Sequence, residues 1–567
     1  MNILSDNYSP SIWNKVREDK DYKPVLNLLK KNYKPICEGD IPAIKFSEFR
    51  LFSEIGDRTV YQKDFFRRQH RLFILTFLSL IYPENEGYFS ALQDTIFQIC
   101  DMYVWALPAH MPNIVENNNE ELDLDSTTIA YALATIQRLF KDRLHPLINA
   151  RIDAEIDRRI TKPFFKKRWH WEFRENNWTA VCSSAVGCTL MLNNPDAFEL
   201  AKDRINSNMQ SYIDSYKDDG VCAEGAGYWS YGFGYFIEYA DLLYTYSNHN
   251  CNILYTPKVL NIATFFQKIF LDKNVILNFG DCGNSTSVGI PVGFFMKLKS
   301  VFGDKFEMPL KNAMYHEIHY FPFLLNSIIC FDKSYKSSKF KKIATYYMKD
   351  QAWFVKRTSK YGFGAKGGHN GESHNHNDVG SFIFSKDDKQ ILVDMGGRPY
   401  TRQYFEQEFR YTFIETSSAG HNLPIVNNSY QAPNIPGTNS YSKYENGVFS
   451  VEFHEMYGLD ELKELKRTFE CSENKVKITD SFKIEGNKIS FKERLVSFYE
   501  PSISDGEVSI NGIKVLFDKK SAKASFKEDI HALELDMDGN IKRGMPIYLI
   551  DIDVINPKDQ FSFEIEA

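Results

Sequence analysis

The sequence predicts an α+β multidomain chain, helical first and antiparallel β second, and three observations carry that prediction. Apolar residues recur at the helical period from about residue 60 to 330. A polar, basic connector, Lys333-Ser-Tyr-Lys-Ser-Ser-Lys-Phe-Lys-Lys342, then interrupts the pattern. Beyond it come short runs separated by turn signals, the mark of a β-sandwich or related antiparallel sheet. At 567 residues the chain is also longer than one core usually serves, so two or more domains are expected. We place them at 1–335, helical, and 336–567, β.

In the first half, Asp64–Tyr82, Tyr88–Trp105, Asp125–Leu144 and Leu147–Phe165 carry apolar residues at i, i+3, i+4 and i+7. Further helices are expected at Trp178–Leu192, Pro195–Tyr216, Tyr235–Tyr246, Pro257–Leu271 and Val292–Phe302. Breakers such as Pro83-Glu-Asn85, Asn193-Asn-Pro195 and Asp218-Asp-Gly220 separate them. Roughly ten antiparallel helices with short loops make a bundle, a solenoid or a ring of helical hairpins. In the second half, strands are expected at Ile343–Met348, Ala352–Arg357, Val379–Phe384, Gln390–Asp394 and Val448–Glu455. Leu465–Cys471, Lys475–Ile484, Lys488–Phe498, Ile547–Val554 and Phe561–Ile565 continue the series.

A net charge of -6 gives no reason to expect a nucleic acid partner. Aromatic content of 15% is high and suits either a sugar-binding cleft or a well-filled helical core. The nine cysteines are scattered without a CxxC pair, so they are expected to be reduced and buried. The start lacks a basic and an apolar signal region, and the longest apolar run, Leu72–Tyr82, is too short to span a bilayer. The chain therefore reads as cytoplasmic, or as extracellular or periplasmic if a leader has been removed, with no membrane partner.

One stretch concentrates chemistry: Gly367-Gly-His-Asn-Gly-Glu-Ser-His-Asn-His-Asn-Asp378. Read as extended chain running into a strand at Val379, it puts His374, His376 and Asp378 on one face, where they could bind a metal or move protons. A polar turn is the bland alternative. Asp394, closing an apolar strand, and His421, opening another, could meet His376 in a zinc-type set, although spacing alone carries this weakly. In the helical half, Glu175-Asn-Asn-Trp-Thr179 sets Asn176 and Asn177 at a helix start, where one of them is explained by capping. Asp219–Gly232 reads as a glycine-rich loop holding Glu224, Tyr228, Trp229 and Tyr231, suited to close approach of a ligand. Trp105-Ala-Leu-Pro-Ala-His-Met-Pro112 offers Trp105 and His110 as pocket residues, with core packing as the alternative. Phosphate-cradling glycine patterns, GxSxG and HExxH are absent, so kinases, serine hydrolases and zincins lose their usual marks.

An Asn-Asn-Trp helix start, Asp-Gly-x3-Glu-Gly-x2-Tyr-Trp-x-Tyr-Gly and His-x-His-Asn-Asp-x-Gly-Ser-Phe, in that order, resemble the heparinase II/III-type polysaccharide lyases, to which alginate lyases of similar build are related. The resemblance spans about residues 60–480. It implies an N-terminal incomplete (α/α) toroid followed by a C-terminal antiparallel β-sandwich. It implies Asn177 as the residue that neutralises the uronate carboxylate, with Asn176 as close alternative. It implies Tyr231 as the catalytic tyrosine, with Tyr228 as fallback, and His374 as the proton-handling histidine. Trp178 stands where some relatives carry a histidine. His376, Asp394 and His421 match the family's zinc ligands, the zinc being structural, and no organic cofactor is implied.

The implied chemistry is β-elimination from a uronate, leaving a 4,5-unsaturated end. Asn177 would offset the carboxylate charge, and Tyr231 or His374 would take the C5 proton. As base, a tyrosine with its ordinary pKa of ~10 would need positive neighbours, for which Arg398, Arg402, Arg410 and His374 are candidates. The expected partner is an anionic glycan, either a glycosaminoglycan of hyaluronan, chondroitin or heparan type or its oligosaccharides, and a homodimer is left open. Alternatives are an alginate or oligoalginate lyase, a non-catalytic sugar-binding protein on the same scaffold, and a zinc hydrolase.

Overall fold

A computed structural model of the protein describes residues 10–115, 120–283, 290–307, 313–314, 317–334, 341–486, 489–536 and 540–567. Two compact units divide the chain. One comprises Met1–Ser215, Trp229–Ala263 and Ile290–Ser338; the other comprises Tyr216–Tyr228, Thr264–Gly289 and Lys339–Ala567. The boundary expected at 335/336 lies outside the described residues.

The first unit is helical. Its chain order begins α1 (Pro10–Glu18), α2 (Lys23–Cys37), α3 (Phe46–Phe49), α4 (Leu51–Ile55), α5 (Thr59–Ile81) and α6 (Glu86–Cys100). Then come α7 (Leu124–Phe140), α8 (Pro146–Ile156), α9 (Lys162–Lys166), α10 (Asn177–Asn193), α11 (Pro195–Ser215), α12 (Ala226–Tyr246) and α13 (Pro257–Ala263). After α14 (Phe265–Lys268), which belongs to the second unit, α15 (Val292–Phe302) and α16 (Phe321–Ile329) complete the helices of this part. A short parallel pair, β1 (Ile290–Pro291) with β2 (Ala313–Met314), flanks α15. Helix ends are set by local chemistry. Asp123 and Ser126 exchange hydrogen bonds in a capping box at the start of α7, at 2.7 and 2.9 Å. Helix α10 is buried on almost every side and packs on α7 and α11, which explains its unbroken Ala, Val, Cys, Ser and Leu content.

The second unit carries the sheets. A five-stranded sheet runs in order through β3 (Ala344–Met348), β4 (Trp353–Arg357), β5 (Gly362–Lys366), β6 (Phe382–Lys386) and β7 (Lys389–Leu392). After α17 (Arg402–Phe405) and α18 (Gln407–Arg410), the remaining strands begin with β8 (Pro424–Val426), β9 (Tyr441–Glu445), β10 (Val448–Glu452), β11 (Leu462–Cys471) and β12 (Lys475–Ile484). The last seven are β13 (Phe491–Ser497), β14 (Ser502–Ser504), β15 (Glu507–Ile510), β16 (Ile513–Phe517), β17 (Ala522–Leu535), β18 (Ile541–Val554) and β19 (Gln560–Glu566). They form an eight-stranded sheet, β14-β15-β16-β19-β12-β11-β10-β9, and a four-stranded one, β17-β18-β13-β8. All pairings in these three sheets are antiparallel. One core joins them, with Phe354, Phe363 and Phe382 from the first sheet, Phe449, Phe469 and Ile478 from the second, and Phe491 and Ile550 from the third. β12 alternates buried and partly exposed residues, one face in, whereas β5 is buried along its whole length.

The expected helix-then-sheet order is present, and three local expectations need correction. Residues 226–232 are the first two turns of α12 and not part of a loop. Residues 379–381 precede β6, which starts at Phe382. His374 lies at φ 57°, so the 374–378 stretch is a turn and its side chains do not share one face. Helices α1 to α4 lie before the region read as helical. All nine cysteines are free, six of them buried. No helix among the described residues is long and apolar enough to cross a membrane.

Candidate functional site

In the second unit the chemistry gathers around Asp281. The chain Val275–Phe279 leads into Gly280, at φ 79°, and Asp281 follows. A Cβ at position 280 would lie 3.0 Å from His374 O on a left-handed backbone, so glycine suits the close approach of these two segments. Asp281 N then donates to the same carbonyl, at 3.0 Å. The buried carboxylate takes His374 Nδ1 at 2.9 Å on Oδ2 and His376 Nε2 at 3.1 Å on Oδ1. Tyr404 donates its hydroxyl to Oδ1, and Arg410 reaches both oxygens at 3.0 Å. Burial alone would raise this carboxyl's pKa. The hydrogen bonds from His374 and His376, with the charge of Arg410, outweigh it and hold the group well below the usual carboxylate range.

His374 is half-buried and stacked on Tyr228, with ring centroids 4.2 Å apart and planes at 21°. The Tyr228 and Tyr400 hydroxyls are hydrogen-bonded to each other. Glu224, 8% exposed, places Oε1 3.8 Å from His374 Nε2. Burial, then the neighbouring Tyr400, Asp281 and Glu224, pushes the Tyr228 phenol well above its ordinary range, so it keeps its proton at neutral pH. Arg398 stands apart from this group, 3.7 Å from Glu415 and over the Phe413 ring.

His376, Asp394 and His421 come together as a buried set whose ligand atoms lie within 4.8 Å of one another. His376 Nδ1 is 4.0 Å from Asp394 Oδ1, and His421 Nδ1 is 3.4 Å from Asp394 Oδ2. His376 Nδ1, His421 Nδ1 and Asp394 Oδ2 make no hydrogen bond although buried. The far nitrogens are anchored, His376 Nε2 on Asp281 and His421 Nε2 on Glu415 O at 3.1 Å, which leaves both Nδ1 lone pairs facing Asp394. Tetrahedral zinc bonds of 2.0–2.1 Å set ligand atoms ~3.3 Å apart, so this donor set fits such an ion after small shifts.

In the first unit, Asn176 caps α10 by accepting from Trp178 N at 3.1 Å, and Asn177 is 3% exposed. Gly232 of α12 packs on it: a Cβ there would lie 3.1 Å from Asn177 Cα. Tyr231 is half-buried against the rings of Tyr235 and Tyr320, at 5.6 and 5.4 Å. Burial, then Tyr235 and Asp125, pushes its phenol well up. His110 donates from Nδ1 to Asp123 at 2.7 Å and lies 3.4 Å from Arg58 through Nε2, so both nitrogens are engaged. Trp105 and Trp229 are 1% and 0% exposed, their indoles donating to Ile99 O and Ile262 O. For the two tryptophans such surroundings are those of core side chains, not of pocket walls. Sequence reasoning missed Asp281, Tyr400 and Tyr404. Only an aspartate between glycines after an apolar run, Asn278-Phe-Gly-Asp-Cys-Gly283, could have signalled the first.

The fold is that of heparinase III-type polysaccharide lyases. The heparan sulfate lyase HepC from Pedobacter heparinus matches with a TM-score of 0.56 at 13% identity, over 100% of this chain and 91% of its own. A heparinase III structure matches at 0.59 and 13%, over 100% and 92%. The chondroitin AC lyase of Streptomyces coelicolor A3, in complex with chondroitin sulphate, matches at 0.57 and 9%, over 99% and 83%. No protein-family model matches the chain, and no curated protein matches it in sequence. At these identities the likeness is one of fold.

Proposed function

We propose that the protein is a polysaccharide lyase that cleaves uronic-acid-containing glycosaminoglycans, or oligosaccharides made from them, by β-elimination. The observation that carries this reading is the His374 group. An imidazole whose Nδ1 is tied to a buried carboxylate lies face to face with a phenol that keeps its proton. That is one base and one acid in contact. In the proposed reaction His374 Nε2 takes the C5 proton, and the C5–H electrons become the C4=C5 double bond. The C4–O bond breaks, and a tyrosine protonates the departing sugar oxygen. The sequence resemblance gives Asn177 the part of offsetting the negative charge that builds on the uronate carboxylate.

The sequence resemblance points to Tyr231 as the acid. A second reading gives that part to Tyr228, and the stacking of Tyr228 on His374 favours it. Zinc is proposed at His376, Asp394 and His421, supported by their three orphaned polar atoms. When bound, it would cross-link the 376, 394 and 421 segments as a structural ion.

The test is a panel of hyaluronan, chondroitin, heparan sulfate and alginate, read by the ultraviolet absorbance of the unsaturated product. One glycosaminoglycan should be cleaved, and the variant lacking the true acid, Tyr228→Phe or Tyr231→Phe, should lose on the order of 10²–10⁴-fold in kcat. Cleavage of alginate alone would move the assignment to that substrate. Binding without turnover would make the protein a sugar-binding one.

A further inference from the structure

We infer that Asp281 is a positioning residue whose single carboxylate fixes the tautomers of two imidazoles in opposite senses, Nδ1–H on His374 and Nε2–H on His376. As a lyase inference it rests on the reading above; as a statement about proton positions it does not. An ionised carboxylate only accepts hydrogen bonds, so each nitrogen that contacts it must carry a hydrogen. Four side chains contact Asp281: His374 through Nδ1 at 2.9 Å, His376 through Nε2 at 3.1 Å, Tyr404 through its hydroxyl and Arg410 through one guanidinium nitrogen at 3.0 Å. Arg410 supplies the buried counter-charge and also holds Asn375 O at 2.9 Å, between the two histidines. The backbone repeats the attachment, because Asp281 N holds His374 O at 3.0 Å while His374 sits in the left-handed region.

The two consequences differ. For neutral His374, a hydrogen on Nδ1 leaves the lone pair on Nε2, the nitrogen on the Glu224 side, and a base must present that lone pair to a substrate C–H. For His376, a hydrogen on Nε2 leaves the lone pair on Nδ1, which faces Asp394 and the proposed metal position. Asp281 thus serves the base with one oxygen and the metal ligand with the other. An amide in its place would offer one acceptor and one donor, and cannot hold both tautomers.

Long-range proton–nitrogen NMR on the full chain with nitrogen-15 histidine reads this directly, with His374→Gln assigning the signals. Wild type should show His374 as the Nδ1–H form and His376 as the Nε2–H form. Asp281→Asn should convert one of them. On the glycan found by the panel it should also lower kcat by about 10³-fold, with KM within about threefold. His374 in the Nε2–H form in wild type, or both tautomers unchanged in Asp281→Asn, would overturn the inference. The wild-type spectrum decides even if the variant does not fold. If no glycan is cleaved, the lyase reading fails while the spectrum still tests Asp281.

Discussion

Asp125, in the first turn of α7, shows how a residue apart from the His374 group can govern pH behaviour. It accepts from Gln69 at 3.3 Å, and burial followed by the like charge of Asp123 pushes its carboxyl up to about 8. A carboxyl raised in the fold is ionised more easily in the unfolded chain, so the unfolded state loses its proton first. Stability is therefore full below the unfolded value of ~3.9 and declines as pH rises towards about 8. Asp125→Asn keeps the acceptor for Gln69 and removes the charge. Its Tm advantage over wild type should widen between pH 5 and pH 8, reaching ~2–4 °C or more. Parallel curves for the two proteins would show that Asp125 carries no such strain. Single residues were also where the sequence was least readable. His376, Asp394 and His421 could be named because their residue types are scarce and chemically loaded. Asp281 could not, because its role comes from contacts made 93 to 129 residues away in sequence.

Between elements, the helices α15 and α16 meet backbone to backbone. A Cβ on Gly293 would lie 1.6 Å from Phe323 O, which cannot move without shifting α16. A Cβ on Gly234 of α12 would meet the Phe323 ring at 2.3 Å, and a ring can turn. Gly293→Ala should therefore cost more than ~3 kcal/mol, and Gly234→Ala about 1–3 kcal/mol, in urea unfolding. Equal costs would show that α15 and α16 adjust to one another freely. The same packing explains what could be read beforehand. α5, α7, α10, α11 and α15 were legible within a few residues at most ends because their apolar spacing is helical on its own. The start of α12 was not: Gly227 and Gly232 read as loop and the helix was expected only from Tyr235, yet Gly232 and Gly234 are there to admit Asn177 and Phe323. Strands β9 and β14 were missed because they show mostly exposed residues and little apolar alternation. The turn at His374 stood only as the alternative to an extended chain, because a left-handed histidine has no local sequence signature.

At the scale of the molecule, the sheet-bearing unit is assembled from three stretches of chain, so no single span can be excised to hold it. Residues 270–278 are tied to its five-stranded sheet by side chains: Arg357 donates to Phe270 O at 2.8 Å, and Gln390 donates to Asn278 Oδ1 at 2.8 Å. A test of the proposed zinc must therefore use the intact chain. Each unit has a buried interior of its own, and all three proposed ligands lie in the second. Calorimetry is thus expected to show two transitions, and a chelator should lower only one, by on the order of 10 °C, the loss of a ligand held at about 1,000 times its Kd. Gly293→Ala should lower the other, which assigns them. His421→Ala should reproduce the chelator's effect and abolish its further action. A chelator that moves neither transition, with metal analysis finding no zinc in the purified chain, would leave His376, Asp394 and His421 as a buried polar cluster. Their orphaned atoms would then need another partner, since burial without one costs about 1–3 kcal/mol each.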